Sequence, residues 1–314
     1  MRALGGEILS YDAPSTEEIA RRISLPVADV IRFDGNTSPQ ALPSSRLEVL
    51  TEELARIHTY PHGGYPRLER CIAEYAGVTP QNVVLGAGAD DLIFLLTRSF
   101  AGPGDRVAIA NDPTYPMFPI SVWVAGAEVG DDDPALTICC RPNNPTGELG
   151  DLPASRPLVV DEAYFEYAGE TAVELIEDDV IVIRTFSKAF GLAGARVGYA
   201  LAGRDVAADL NRRQHPAPVS TLTAALAIAA LEAPPDVQPI LHERDRMAER
   251  LRELGFEPPP SHGNFLYLPV DDPAGLADRL LQQGLAVRPV PGGIRITIRT
   301  EPEDERLLAV LQSA

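Results

Sequence analysis

Lysine is nearly absent from this sequence: Lys188 is the only one, against twenty-six arginines. A guanidinium serves wherever a surface needs positive charge but keeps its proton, whereas a lysine amine can release its proton and attack a carbonyl. A single lysine in an arginine-rich chain can arise by chance, but the hydroxyls, glycines and arginine of the segment Thr185–Arg196 point to use as an amine. Cysteine is scarce too. Cys71, Cys139 and Cys140 make no even-numbered framework, and the adjacent pair lies in an apolar run, so buried thiols in a reducing compartment are expected. No stretch approaches the roughly 20 apolar residues of a membrane span, and Met1–Pro14 lacks an apolar signal core, so the expected location is the cytoplasm, with no membrane partner. Basic residues are outnumbered 27 to 45, leaving a net charge of −18. Such a field excludes a dominant basic surface for nucleic acid, and any bound anion must be held locally. His58 and His62 stand four apart, but Pro61 and the following glycines deny them a common helix face, so no metal is expected.

What the chain does contain is ordinary globular composition, 45% hydrophobic and 23% charged over 314 residues, enough for two domains. Residues 1–30 read as an N-terminal arm with one amphipathic helix, Ser15–Leu25. Residues 31–215 read as a large domain: a short strand near Val30, a helix over Ser45–His58, then a regular α/β rhythm. Its apolar strands (Val83–Leu85, Arg106–Ala110, one within Val122–Val129, Ala135–Cys140, Leu158–Val160, Val180–Ile183, Val197–Leu201) each run into polar or glycine-rich residues. That pattern describes an α/β fold with a mostly parallel central sheet flanked by helices, its site along the strands' C-terminal edge. Residues 216–314 read as a smaller C-terminal α/β domain, with strands at Phe265–Val270, Leu285–Val290 and Ile294–Arg299.

One turn stands out, Gly86-Ala87-Gly88-Ala89-Asp90 between a buried strand and a helix. Exposed N–H groups and the helix dipole make such a turn a phosphate cradle, although glycine turns also occur for packing alone. It lacks the third glycine of the dinucleotide fingerprint and the Gly-Lys-Ser/Thr of a P-loop.

Taken in order, Asn143-Asn144-Pro145-Thr146-Gly147, Asp161-Glu162-Ala163-Tyr164 and Ser187-Lys188-Ala189-Phe190-Gly191-Leu192-Ala193-Gly194-Ala195-Arg196 resemble the fold-type I pyridoxal-phosphate aminotransferases, most closely the histidinol-phosphate branch. The resemblance covers residues 30–312 and implies pyridoxal 5′-phosphate as cofactor. It implies that Lys188 holds the cofactor aldehyde and moves a proton, that Asp161 keeps the ring nitrogen protonated, and that Tyr164 and Asn144 bond the ring oxygen. Tyr115 would stack on the ring. Ala87, Gly88, Ala89, Asp90, Thr185, Ser187 and Arg196 would hold the phosphate, and Tyr60 would reach the phosphate of a neighbouring subunit, which implies a homodimer. Arg295 would bind the substrate's anionic group, α-carboxylate or phosphate, beside Asn36, Asn264 and Arg288, the last equally readable as a surface charge. The implied reaction moves an amino group from histidinol phosphate or a related amino acid to a 2-oxo acid such as 2-oxoglutarate. Alternatives are decarboxylation of a phosphorylated amino acid such as phosphothreonine, transamination of an aromatic or other amino acid, or a regulatory module on the same fold. Three departures stand beside the likeness. The connections Val129–Ala135 and Gly147–Leu158 lack the usual crossover helix, and Asp34-Gly35-Asn36-Thr37 replaces Asn-Glu-Asn-Pro.

Overall fold

The architecture comes from a computed structural model that describes residues 14–40, 43, 48, 50–61 and 63–312. Twelve strands are present among them: β1 Ile31–Arg32, β2 Val83–Gly86, β3 Arg106–Ile109, β4 Glu128–Val129, β5 Leu136–Cys140, β6 Leu158–Asp161, β7 Val180–Thr185, β8 Gly198–Leu201, β9 Phe265–Pro269, β10 Leu285–Ala286, β11 Arg288–Val290 and β12 Gly293–Thr297. Strands β2–β8 form one sheet in the order β2-β8-β7-β6-β5-β3-β4. Strand β8 runs antiparallel to β2 and β7, and the other pairings are parallel. The central strands are apolar without interruption because both faces are covered. Leu158, Val160, Val180 and Val182 point into one core with Leu68 and Ile72 of the helix Pro66–Ala76, while Val159, Ile181 and Ile183 point into the other with Leu92 and Leu96 of the helix Ala89–Phe100. Each such side chain contributes roughly 1.5–3 kcal/mol by leaving water.

The short connections are explained by where β4 ends. Val129 and Leu136 both lie opposite Val107, so the chain passes under the start of β3 instead of returning along a full strand. Gly130 N donates to Val107 O, Ala135 N to Arg106 O, and Arg106 pairs with Asp132 at 2.9 Å. Between β5 and β6, residues 141–157 contain no helix, yet their number meets the dozen or more that a parallel crossover needs.

Several elements differ from the sequence reading. The strand expected within Val122–Val129 is mostly the helix Met117–Ala125, and β4 keeps two residues. The helix Arg204–Arg213 has no counterpart among the expected elements. The expected strand Leu285–Val290 divides at Val287: β10 pairs with β1, and β11 with β12 in the antiparallel sheet β11-β12-β9. A boundary at residue 216 puts the helix Thr221–Glu232 in the C-terminal unit, whereas its Ala227, Ala230 and Leu231 pack in the core of the large sheet. Conversely, Ile31 and Phe33 pack with Leu266, Ile294 and Leu308 of the C-terminal sheet layer. The helix near the N-terminus is Thr16–Ile23, capped by Ser15, whose hydroxyl accepts from Glu18 N at 3.1 Å. Of the helix expected over Ser45–His58 the structure shows Leu50–Leu54 as helix and 55–58 as a turn, and residues 1–13, 44–47, 49 and 62 lie outside the described residues.

Candidate active site

The C-terminal ends of β2, β5, β6 and β7 open on one cavity of about 310 Å³, lined by residues that include Lys188, Asp161, Tyr164, Asn144, Arg196 and Arg295. Strand β6 delivers Asp161 on its last position, buried, with Oδ1 accepting from Ala163 N at 3.0 Å. Burial drives its pKa up to about 7, with Asp90 and Glu162 adding to the rise and the Ala163 N–H and Lys188 opposing it. Past the end of β7, Lys188 Nζ donates to Gly35 O at 3.2 Å. Burial, helped by Arg295 and opposed by Asp90 and Asp161, lowers this amine to about 8. The carboxyl and the amine therefore sit near neutrality in one cavity, which suits proton transfer.

Tyr164 stands next to the short helix Phe165–Ala168, 2% exposed, its ring edge-on to Phe265 at 5.0 Å. Its hydroxyl accepts from Asn36 Nδ2 at 2.9 Å, and burial raises its pKa. Asn144 accepts from Arg295 Nη1 through Oδ1 at 2.6 Å, so the amide presents its Nδ2 hydrogens as donors. Arg295 comes from β12 and is also held by the carbonyl of Asp34.

The groups expected to hold an anion gather around the start of the helix Ala89–Phe100. Gly88 precedes it at φ 91°, and an added Cβ there would lie 2.9 Å from Arg196 Nη2. The guanidinium thus rests on the turn in space that only a glycine leaves open. Arg196 Nη2 donates to Asp90 Oδ2 at 3.2 Å, and Tyr115 OH to Asp90 Oδ1 at 2.8 Å. Thr185 Oγ1 donates to Ser187 Oγ at 2.9 Å, and both residues line the cavity with Ala89 and Asp90. Ala87 N donates to the Asp91 carboxylate at 3.0 Å. Backbone N–H groups at a helix start, two hydroxyls and a guanidinium fit a phosphate, and an amine, a carboxyl and amide donors around the same cavity fit an aldehyde-bearing pyridine. The donor set matches pyridoxal 5′-phosphate.

Other expected site residues are placed elsewhere. Asn36 and Asn264 are 0% and 1% exposed and bond each other, Asn264 Nδ2 donating to Asn36 O at 3.2 Å, behind the cavity wall. Arg288 lies on β11 directly opposite Arg295, which sets the two on one face of the sheet. Tyr60 is 80% exposed and lines a separate groove of about 830 Å³ with Arg56, Tyr65 and Ile228. The cavity also includes residues the sequence did not single out, Thr37 and Cys140. Thr37 lies in the segment marked as a departure, which was its only signal. Cys140 Sγ donates to Pro142 O at 3.3 Å, and burial raises its thiol well above the ordinary range.

The sequence profile of the class I and II aminotransferases matches residues 28–131 and 130–311. Histidinol-phosphate aminotransferase 1 of Dechloromonas aromatica (strain RCB) is 34% identical, the match covering 95% of this chain and 93% of that one. The solved histidinol-phosphate aminotransferase from Sinorhizobium meliloti in complex with pyridoxal-5'-phosphate is similar with a TM-score of 0.82 at 26% identity, over 97% of this chain and 96% of that one. L-threonine-O-3-phosphate decarboxylase from Porphyromonas gingivalis shares the fold, with a TM-score of 0.80 at 19% identity over 90% of this chain and 99% of that one.

Proposed function

This chain belongs to the class I and II aminotransferases, enzymes dependent on pyridoxal 5′-phosphate, and we propose that its amino donor is histidinol phosphate or a closely related small anionic amine and its acceptor a 2-oxo acid such as 2-oxoglutarate. The observation that carries the donor reading is Arg295. It brings a guanidinium into the cavity that holds Lys188, oriented by Asn144 Oδ1 and the carbonyl of Asp34. Relatives named histidinol-phosphate aminotransferases, at 34% identity, support the donor class.

When bound, the cofactor supplies an electron sink for the carbanion that amino transfer requires. The chain's own residues then divide the work. Arg196, the Ala89–Phe100 helix start, Thr185 and Ser187 hold the phosphate. Asp161 faces the ring nitrogen, where a cationic partner draws its carboxyl back down from about 7. Tyr164 and Asn144 donate to the ring oxygen. Lys188, its amine lowered to about 8, takes and returns the proton at the substrate carbon. Arg295 orients the donor through its anionic group, and Tyr60 completes the phosphate site of a second subunit in a homodimer.

Loaded enzyme mixed with histidinol phosphate and 2-oxoglutarate is expected to form glutamate. Arg295→Gln is expected to raise the donor KM by about 10–100-fold, the loss of one charge-assisted contact. Release of carbon dioxide without glutamate would overturn the proposal.

A further inference from the structure

Three consecutive residues meet the three groups that define the site. The carbonyl of Asp34 accepts from Arg295, that of Gly35 accepts from Lys188 Nζ at 3.2 Å, and the side chain of Asn36 donates to Tyr164 at 2.9 Å. Asn36 does this from outside the cavity, fully buried and at φ 51°, in the left-handed region that asparagine tolerates better than most residues. Each of its other polar atoms is engaged. Its N–H donates to Thr297 Oγ1 at 2.9 Å, its carbonyl accepts from Asn264 Nδ2 at 3.2 Å, and its Oδ1 lies 3.0 Å from the hydroxyl of Thr297.

Thr297 Oγ1 donates to Phe33 O at 2.7 Å and shares its proton with Asn36 Oδ1 at 3.0 Å, and with Oδ1 on that side Nδ2 faces Tyr164. Nδ2 can only donate. In that arrangement the phenol oxygen of Tyr164 accepts from Asn36, which frees its own single proton for an acceptor in the cavity that Tyr164 lines.

We propose that Asn36 is a positioning residue: it fixes the Tyr164 hydroxyl as a hydrogen-bond donor into the cavity, with Thr297 of β12 and Asn264, just before β9, holding Asn36 in that orientation. This rests on the cofactor reading above, in which Tyr164 donates to the ring oxygen. An acceptor of the same shape in place of Nδ2 would turn the phenol proton around. Asn36→Asp makes that change.

The test is a cycle on protein loaded with pyridoxal phosphate, read as the pH midpoint of its visible absorbance: wild type, N36D, Y164F and N36D/Y164F. Loss of a donor to the ring oxygen leaves more negative charge there, so the proton at the lysine nitrogen is held more tightly. N36D and Y164F are each expected to move the midpoint upward by on the order of one pH unit, a tenfold change in the proton equilibrium, and N36D is expected to add little once Tyr164 is gone. A shift of equal size in both backgrounds would mean that the new carboxyl acts directly through space, and would overturn the proposal, as would no shift in the Tyr164 background. Should N36D fail to fold, T297V carries the same cycle by removing the hydroxyl that fixes the amide. An upward shift abolished by Y164F supports the proposal, and an unchanged midpoint overturns it. Wild-type protein without any visible band would defeat the cofactor reading and the proposal together, an outcome distinct from an unshifted band.

Discussion

At the scale of residues, the proposed chemistry rests on how far burial moves Lys188 and Asp161. Lys188 is lowered from 10.5 to about 8, chiefly by desolvation. Being the sole lysine, it can be titrated directly in cofactor-free protein by an amine-modifying reagent, with the single lysine-containing peptide followed by mass spectrometry. The modification rate is expected to rise with a midpoint near 8, and a midpoint near the ordinary lysine value of 10.5 would show that the amine is solvated. The sign for stability follows from proton counts. The unfolded chain holds this proton up to a higher pH than the folded chain does, so the penalty is complete below pH 8 and disappears as pH rises toward 10.5. Lys188→Met is therefore expected to stabilise the cofactor-free protein at pH 7 by on the order of 3 kcal/mol, measured by denaturant unfolding, while abolishing turnover. The sequence points to this proposed role because the residue type is rare and its neighbours are chemically explicit. It does not reveal Asn36 as the partner of Tyr164, since the two are joined only through folding of residues 128 apart.

At the scale of elements, the proposed phosphate cradle depends on an arginine resting on the turn before a helix start. Gly88→Ala puts a Cβ 2.9 Å from Arg196 Nη2 and a side chain at φ 91°, a conformation costing of order 1–3 kcal/mol for other residues. Affinity for pyridoxal phosphate is expected to fall about 10–100-fold in equilibrium dialysis. An unchanged affinity would show that the guanidinium holds the phosphate from another direction. Strands β5, β6 and β7 were legible because burial on both faces leaves an unbroken apolar run ending in polar residues. The helix Met117–Ala125 was not. Its sequence, MFPISVWVA, is apolar on every side, and with β-branched and aromatic residues it reads equally as a buried strand. Residues 285–290 misled for a different reason. One extended run serves two sheets, and nothing in its composition marks the division at Val287.

At the scale of the whole molecule, the cavity is made by both sheet systems together. Asn144 on the large sheet's loop meets Arg295 of β12, and His262 N donates to Gly147 O at 2.8 Å where the two pack. A boundary drawn on composition at residue 216 misses this interleaving, because the helix Thr221–Glu232 is alanine- and leucine-rich for burial under the large sheet while β1 has crossed to the other core. Tyr60, with Leu54 and Ile57, is strongly exposed in this single chain, beside the groove lined by Arg56 and Ile228. If a second copy covers that face and lends Tyr60 to its neighbour's phosphate site, defects at Lys188 and Tyr60 should complement across subunits. A dimer of one K188A chain and one Y60A chain has one site with both residues replaced and one site with neither. Unfolding and refolding an equal mixture of the two variants yields about half mixed dimers, each with one intact site, so activity is expected to return to about a quarter of wild type. Each variant refolded alone should stay inactive or strongly impaired. A mixture no more active than the mean of the two would mean that Tyr60 serves no neighbouring site.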